Sequence, residues 1–218
     1  MAQERASFAT HKTHVPFWKK PGTVVVIVAL TLLLAAVAFA YKAPDETLVA
    51  RIRSRDATSV WAAKILANRG VKLEATRDAL LAVLVVRDGN PAAPVELRAA
   101  AAEALGSMND PLAASNLAEA TRDAESLVRG AAVRGLGRMR VEAVVLIASL
   151  ADPEVQVRVA AAEALGAFGD ERAIDPLIEH LGDNTAEVRE ACHKALQRLT
   201  KQTFGPEKAS WSKWRESR

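Results

Sequence analysis

The chain has 218 residues, of which 50% are apolar and 25% are charged. Its formal net charge of +3 comes entirely from the first 22 residues, so residues 42–218 carry equal numbers of acidic and basic side chains and only five aromatic ones. Such a region lacks the basic surface that binding to a phosphate backbone requires, which excludes nucleic acid as a partner.

The N-terminal segment predicts a membrane anchor. Residues 1–22 form a basic tail, with Trp18, Lys19 and Lys20 near its C-terminal end. Residues 23–41 contain no charged side chain. A helix that rises about 1.5 Å per residue needs about 20 such residues to cross a hydrocarbon core of about 30 Å. We therefore expect one transmembrane helix over 23–41 in a bacterial inner membrane, with the repeat region in the periplasm.

The same segment also has the features of a secretory signal peptide. A basic start, an apolar run and the sequence Ala38-Phe39-Ala40 fit a signal that is cleaved after Ala40. The apolar run is longer than in an ordinary signal, which favours an uncleaved anchor. Cleavage would instead release a secreted repeat protein.

Three arginines follow the predicted anchor. Arg51, Arg53 and Arg55 form a basic cluster close to the membrane helix in sequence. Contact with lipid headgroups or with an adjacent subunit would account for them, and a solvated helix face accounts for them equally well.

Internal repeats occupy the middle of the chain. Four ten-residue segments that begin at Leu97, Val128, Val157 and Val188 align without gaps. Each predicts a helix, three of them close on a glycine that predicts the helix stop, and each follows a shorter apolar helix. The second residue of each segment is an arginine, at intervals of 31, 29 and 31 residues: Arg98, Arg129, Arg158 and Arg189.

An aspartate precedes three of these arginines by six residues. Asp123, Asp152 and Asp183 lie in the turn between the two helices of a repeat, before Arg129, Arg158 and Arg189. A carboxylate there can accept the free N–H groups of the following helix and can reach an arginine of a neighbouring repeat. We expect a ladder of ion pairs that fixes how the repeats stack.

This pattern closely resembles the short bacterial HEAT-like repeats that are also found in phycocyanobilin lyases. The resemblance is carried by the four Val/Leu-Arg-x-Ala-Ala-x-x-x-Leu-Gly segments and by the aspartate-to-arginine spacing. It implies an all-α, right-handed α-solenoid of about five helix pairs over residues 42–203. Residues 204–218, with Trp211 and Trp214, resemble a C-terminal segment that caps such arrays.

One charged row runs through the repeats. In the resembled family the second helix of each pair lines the concave face, where Glu103, Arg134, Glu163 and Lys194 would alternate in sign. This row predicts a groove that binds another protein. A chain of ion pairs between repeats would explain the same residues.

Candidate catalytic groups are few. His180 and His193 lack supporting ligands at metal-binding spacing, and Cys192 stands where other repeats have alanine, which predicts a small buried residue. We therefore expect no enzyme, no metal and no cofactor.

The resulting functional hypothesis is a membrane-anchored scaffold. It would be a single-pass accessory subunit that binds other proteins in a respiratory, photosynthetic or transport complex, and it would contact the lipid bilayer. Two alternatives are a stand-alone membrane adaptor that captures a soluble client and an enzyme similar to a bilin lyase.

Overall fold

The computed structural model describes residues 43–56, 58–69, 74–85 and 93–218. In these residues the secondary structure is helical and contains no strand, as the sequence predicts. We number the α-helices in chain order: α1 (Asp45–Ser54), α2 (Ser59–Arg69), α3 (Glu74–Leu84), α4 (Val95–Met108), α5 (Ala114–Ala120), α6 (Ser126–Met139), α7 (Ala143–Ala148), α8 (Val155–Phe168), α9 (Ile174–Glu179), α10 (Ala186–Thr200) and α11 (Lys208–Glu216).

The long helices form one layer of the repeat region. Helices α4, α6, α8 and α10 pack against one another in succession, and α2 continues the layer at its N-terminal end. We call α4, α6, α8 and α10 the second helices. Their buried sides are rich in alanine, which allows close packing: Ala100, Ala101, Ala132, Ala161 and Ala191.

The short helices form the other layer. Helices α5, α7 and α9 pack on α6, α8 and α10. A 3-10 turn extends one end of α5 and of α7 and both ends of α9: Pro111–Ala113, Ser149–Ala151, Glu171–Ala173 and His180–Gly182. Buried leucines at equivalent positions, Leu117, Leu146 and Leu177, join the two layers. The result is an α-solenoid of helix pairs.

The glycines that recur in the repeats do not end their helices, contrary to the sequence prediction. Gly106, Gly137 and Gly166 lie inside α4, α6 and α8. A Cβ atom at Gly106 would collide with the backbone of Gly135, and one at Gly137 would lie 2.5 Å from the Cβ of Ala164. These glycines therefore let neighbouring second helices approach closely.

Other residues terminate the second helices. The C-cap residues of these four helices adopt the left-handed backbone conformation: Asn109, Arg140, Gly169 and Lys201. Only one of the four, Gly169, is a glycine.

The C-terminal segment packs on the last helix pair. Trp211 of α11 is fully buried, and its Nε1–H donates to the carbonyl of Gly205 at 2.8 Å. Phe204, Trp214 and His193 surround its ring with centroid distances of 5.2, 6.0 and 6.2 Å. Two ion pairs, Lys208–Glu179 and Arg215–Asp175, fasten α11 to α9.

The predicted anchor lies outside the described residues. This applies to the basic tail with Trp18, Lys19 and Lys20 and to residues 23–41. Among the residues that are described, none of the helices has the length and apolar character needed to cross a membrane.

Candidate functional site

Buried ion pairs link successive helix pairs. Arg98 contacts Asp123, Arg129 contacts Asp152, and Arg158 contacts Asp183, at 2.9, 2.8 and 2.9 Å. Each contact is bidentate, with Nε and Nη2 of the arginine donating to both carboxylate oxygens. Each aspartate thus bonds the arginine of the preceding second helix.

The same aspartates organise the turn that follows them. A carboxylate oxygen of Asp152 accepts the N–H of Glu154, and its backbone carbonyl accepts Nη1 of Arg158 at 2.9 Å. The carboxylates and backbone carbonyls of Asp123 and Asp183 accept the equivalent hydrogen bonds. Arg189, in the last second helix, donates to the carbonyl of Asp183 at 2.7 Å. Each aspartate therefore joins two consecutive second helices.

These contacts favour the charged form of Asp152 and Asp183. Burial is the largest influence on Asp152 and raises its pKa. The hydrogen bonds from Arg129, the N–H of Glu154 and the nearby positive charges lower it by more, so the net pKa lies below its ordinary value. The pKa of Asp183 is lowered by the same balance, with Arg158 as the donor. Asp152 and Asp183 are therefore charged partners of buried arginines at neutral pH.

The predicted charged row lies on the exposed side of the second helices, and the structure pairs only part of it. Arg134 donates to Glu103 at 2.9 Å, with both side chains a little over one-third exposed. Lys194 instead bonds Glu190 of its own helix at 2.6 Å. Glu163 is exposed and has no ion pair or hydrogen bond within the described part of the chain.

Two troughs of about 200 Å³ each flank Glu163. One lies between α6 and α8, and its lining includes Arg134, Arg138 and Ala164. The other lies between α8 and α10, and its lining includes Glu187, Lys194 and Arg198. Glu163 lines both troughs and is the residue that they share.

The structure adds residues to this surface that the sequence analysis missed. Leu127 is 50% exposed and lies seven residues before Arg134, so both occupy one side of α6. Arg138 and Arg198 stand nine residues after repeat arginines, a spacing that could have identified them. We call this surface the second-helix face and define it by Glu103, Leu127, Arg134, Arg138, Glu163, Glu187, Lys194 and Arg198.

A larger depression of about 560 Å³ lies between α3, α4 and α5. Arg98 and Asp123 line it, and they are already bonded to each other. It therefore offers no unpaired buried charge among its lining residues.

The three arginines near the start of the repeat region differ in their surroundings. Arg51 and Arg53 are exposed on α1, whereas Nη2 of Arg55 donates to the carbonyl of Ala82 at 3.0 Å. Contact of this cluster with lipid is not supported.

The remaining reactive side chains are engaged in packing. Nδ1 of His180 lies 2.8 Å from the carbonyl oxygen of Pro176, and Nε2 of His193 lies 2.8 Å from that of Phe204. Cys192 is buried, and burial raises the pKa of its thiol to about 12. Within the described ranges no group of three or more His, Cys, Asp and Glu residues could hold a metal ion.

A protein-family model matches most of the repeat region. The model describes HEAT repeats and matches residues 46–137 and 117–197. A chain of the complex of CpcE and CpcF of phycocyanin lyase from Nostoc sp. PCC7120 is 27% identical, with a TM-score of 0.62 over 79% of this chain and 69% of that one. An engineered protein is 21% identical with a TM-score of 0.52, which shows the fold alone.

Curated relatives are named as hydroxylases. Deoxyhypusine hydroxylase-B of rice is 42% identical over 103 residues, and deoxyhypusine hydroxylase of cattle is 34% identical over 114 residues. The matched parts cover 44% and 50% of this chain. They cover 34% and 38% of those proteins, so the chain aligns with little more than a third of each.

These comparisons correct the functional hypotheses. The predictions of a membrane scaffold, of a stand-alone membrane adaptor and of a protein that is not an enzyme are wrong, because the relatives are named as enzymes, hydroxylases and a lyase. The predictions relied on the lack of a convergent catalytic set in the sequence. A repeat region that aligns with about a third of a longer enzyme does not have to contain such a set.

The predicted bacterial inner-membrane and periplasmic location is wrong as well. The curated relatives that overturn it are named as deoxyhypusine hydroxylases, not as membrane proteins. The repeat pattern itself was assigned correctly from the arginine and aspartate spacing. Because the family model covers well over half of its residues, this protein belongs to the HEAT repeat family.

Proposed function

We propose that this chain is the protein-binding component of an enzyme that modifies a polypeptide, and that it acts together with a second protein chain. The observation that carries the proposal is the likeness to a chain of the CpcE–CpcF complex of phycocyanin lyase over most of this chain. That enzyme is a complex of two chains and is named for phycocyanin, a protein. The match to deoxyhypusine hydroxylases supports an enzymatic role independently.

The second-helix face is the surface that suits this role best. It is built on helices that are packed rigidly by their small residues and by the buried ion-pair ladder. It combines an exposed leucine with charged side chains, a composition that is common where another protein docks. In the proposed arrangement residues 42–203 form a right-handed solenoid with this face on its concave side, and residues 204–218 cap its end.

The ladder and the face have separate roles in this proposal. Asp123, Asp152, Asp183 and their arginines set the geometry of the helices, whereas Glu103, Arg134, Glu163 and Lys194 contact the bound polypeptide. Replacement of a ladder residue should therefore change stability, and replacement of a face residue should change binding.

Site-specific photo-crosslinking in the native host tests the proposal. A photoreactive residue replaces Leu127 on the second-helix face, and in a matched control it replaces Leu112, which is 66% exposed on the opposite layer. We expect position 127 to capture a defined polypeptide that position 112 does not. We also expect this polypeptide to carry a covalent modification, seen by intact mass, that is missing when the gene for this chain is deleted.

Two results would overturn the proposal. The first is equal capture at both positions, which would mean that the second-helix face is not the binding surface. The second is an unchanged mass of the captured polypeptide in the deletion strain, which would mean that this chain does not contribute to its modification.

A further inference from the structure

The last arginine of the repeat series is bonded differently from the three before it. In Arg98, Arg129 and Arg158, Nε and Nη2 donate to the aspartate of the following turn, and Nη1 donates to a backbone carbonyl of the preceding turn. In Arg189 only Nη1 is used, and it donates to the carbonyl of Asp183 at 2.7 Å. Within the described residues, Nε and Nη2 of Arg189 have no hydrogen bond or ion pair.

The Nη1 contact orients the free edge of this guanidinium. In Arg158 the equivalent contact, to the carbonyl of Asp152 at 2.9 Å, accompanies the bidentate contact to a carboxylate. A guanidinium is planar and rigid, so fixing one of its nitrogens restricts the direction of the other two. The side chain of Arg189 is half-buried on α10. Its Nε–H and Nη2–H groups are therefore both held in place and accessible.

The carboxylates nearest to Arg189 in sequence are engaged elsewhere or point away. The carboxylate of Asp183 bonds the arginine of the preceding repeat. Glu190 bonds a lysine of its own helix at 2.6 Å. Glu187 lies two residues from Arg189, which places it about 200° away around α10. The charge of Arg189 is thus left without a bonded counter-charge in the described fold.

The C-terminal segment, residues 201–218, does not supply the missing acceptor. It packs beside Arg189 on the same helix, since Nε2 of His193, one turn later, lies 2.8 Å from a carbonyl oxygen of this segment. Its two glutamates, Glu207 and Glu216, are exposed, and neither carboxylate bonds Arg189. The segment therefore caps the last helix pair without completing the ladder.

The three complete contacts of the ladder show which acceptor this edge fits. In each, one carboxylate lies 2.8–2.9 Å from the arginine and accepts from both Nε and Nη2. In each, the carboxylate belongs to an aspartate that also accepts the N–H two residues later, at a turn that begins a helix. Such bidentate contacts are stronger and more selective than a single charged hydrogen bond.

We propose that the free edge of Arg189 binds the carboxylate of an aspartate in a helix-initiating turn of the second protein chain. The contact continues the ladder from this chain into its partner. The inference rests on the proposed two-chain arrangement and assigns the chemistry of one contact between the chains.

Peptide binding tests the inference without any assay of enzyme activity. The probe is the blocked peptide Leu-Ala-Asp-Pro-Glu-Val-Gln, which copies residues 150–156 of the ladder, and a second probe carries asparagine in place of aspartate. Backbone amide and arginine Nε–H signals of the full chain are followed during titration. We expect the aspartate peptide to bind in the millimolar range and to shift the Nε–H signal of Arg189 and amides between Asp183 and His193. The Nε–H signal of Arg129, which already has its carboxylate, should not move.

The two peptides and three variants separate a bidentate contact from general attraction between charges. The asparagine peptide should bind about fivefold more weakly or worse, because it lacks the charge. Arg189→Gln should weaken binding of the aspartate peptide by about fivefold, and Arg189→Lys, which keeps the charge but not the planar edge, by about threefold. Arg53→Gln, on the exposed side of α1, is the matched control and should bind as the parent does. Thermal unfolding confirms that each variant is folded at the temperature of the titration.

Several outcomes would overturn the inference: no shift of the Arg189 signal by the aspartate peptide, shifts located elsewhere, equal binding of both peptides, or binding that either Arg189 variant leaves unchanged. None of these outcomes depends on the modification measured in the crosslinking experiment. An unchanged modification in the deletion strain would in turn overturn the proposed function and leave the acceptor chemistry of Arg189 intact. The two proposals can therefore fail separately.

Discussion

At the scale of single residues, the buried aspartates of the ladder stabilise the repeat stack. Asp152 receives two hydrogen bonds from Arg129 and one from the N–H of Glu154, and both charged side chains are largely buried. Removing one partner of such a pair leaves a buried charge without a counter-charge. This lowers the free energy of unfolding by more than the removal of a surface ion pair does. Stability should therefore depend strongly on this aspartate.

We expect Asp152→Asn to lower the free energy of unfolding by about 3 kcal/mol, because Arg129 stays buried without its counter-charge. The matched control is Asp170→Asn. Asp170 bonds Arg172, whose side chain is 66% exposed, so the loss of this pair should cost clearly less than the loss of the buried one. Urea unfolding followed by circular dichroism measures both values. Equal effects would show that the ladder pair contributes no more than a surface pair.

Acid should weaken the same contacts. The pKa values of Asp152 and Asp183 are lowered in the folded chain, so their contribution to stability is complete above the unfolded value of about 3.9. It is lost as the pH falls from there through the lower pKa of the folded chain. The urea midpoint of the parent protein should therefore fall steeply below about pH 4. The Asp152→Asn variant should show a smaller fall over the same range. An identical pH profile of parent and variant would contradict this account.

At the scale of the helices, close contact between neighbouring second helices depends on glycine. We expect Gly106→Ala to lower the free energy of unfolding by about 1–3 kcal/mol, because the added methyl group would overlap the backbone of Gly135 and force the helices apart. Gly182→Ala is the control, since a Cβ atom there meets nothing within 4 Å. Urea unfolding compares the two. A neutral Gly106→Ala variant would mean that the helices separate without cost.

Sequence patterns predicted the helices better than they predicted the contacts between them. The repeat spacing located α4, α6, α8 and α10, because apolar periodicity and an aligned arginine are local features. The glycines were assigned to helix ends because glycine is common there. Their role in helix packing depends on residues about 30 positions away, such as Gly135 opposite Gly106, which no local pattern reveals.

The candidate site was predicted only in part for a related reason. The row of Glu103, Arg134, Glu163 and Lys194 followed from repeat spacing, but which members pair depends on side-chain geometry. Arg134 bonds Glu103 on the neighbouring second helix, whereas Lys194 bonds Glu190 on its own helix. Because Arg134 and Lys194 pair with these other carboxylates, Glu163 has no ion pair in the described structure. The alternating charges of the row in the sequence could not predict this.

At the scale of the whole repeat region, the C-terminal segment closes the last helix pair. We expect Trp211→Ala to lower the free energy of unfolding by about 3–5 kcal/mol, because the indole is fully buried and its removal leaves a cavity. Trp214→Ala should cost less, since that ring is only partly buried. Urea unfolding compares them. If both substitutions are tolerated equally, α11 is not a structural cap.

The architecture separates stability from recognition. Ion pairs and glycine contacts fix the second helices from within, so the outward face can carry charges that the fold itself does not need. Glu163 and Leu127 are the members of that face with the least intramolecular role in the described structure. Their replacement should affect a bound polypeptide and leave the fold intact.

The most direct test of the account is the intact mass of the polypeptide captured at position 127. It is measured in cells that lack the gene for this chain and are supplied with either the parent chain or the Leu127→Asp variant. The account predicts that the parent chain restores the modification and that the variant, although folded, restores little of it. Equal restoration by both chains, or a modification that persists without either, would contradict a protein-modifying role exercised through the second-helix face.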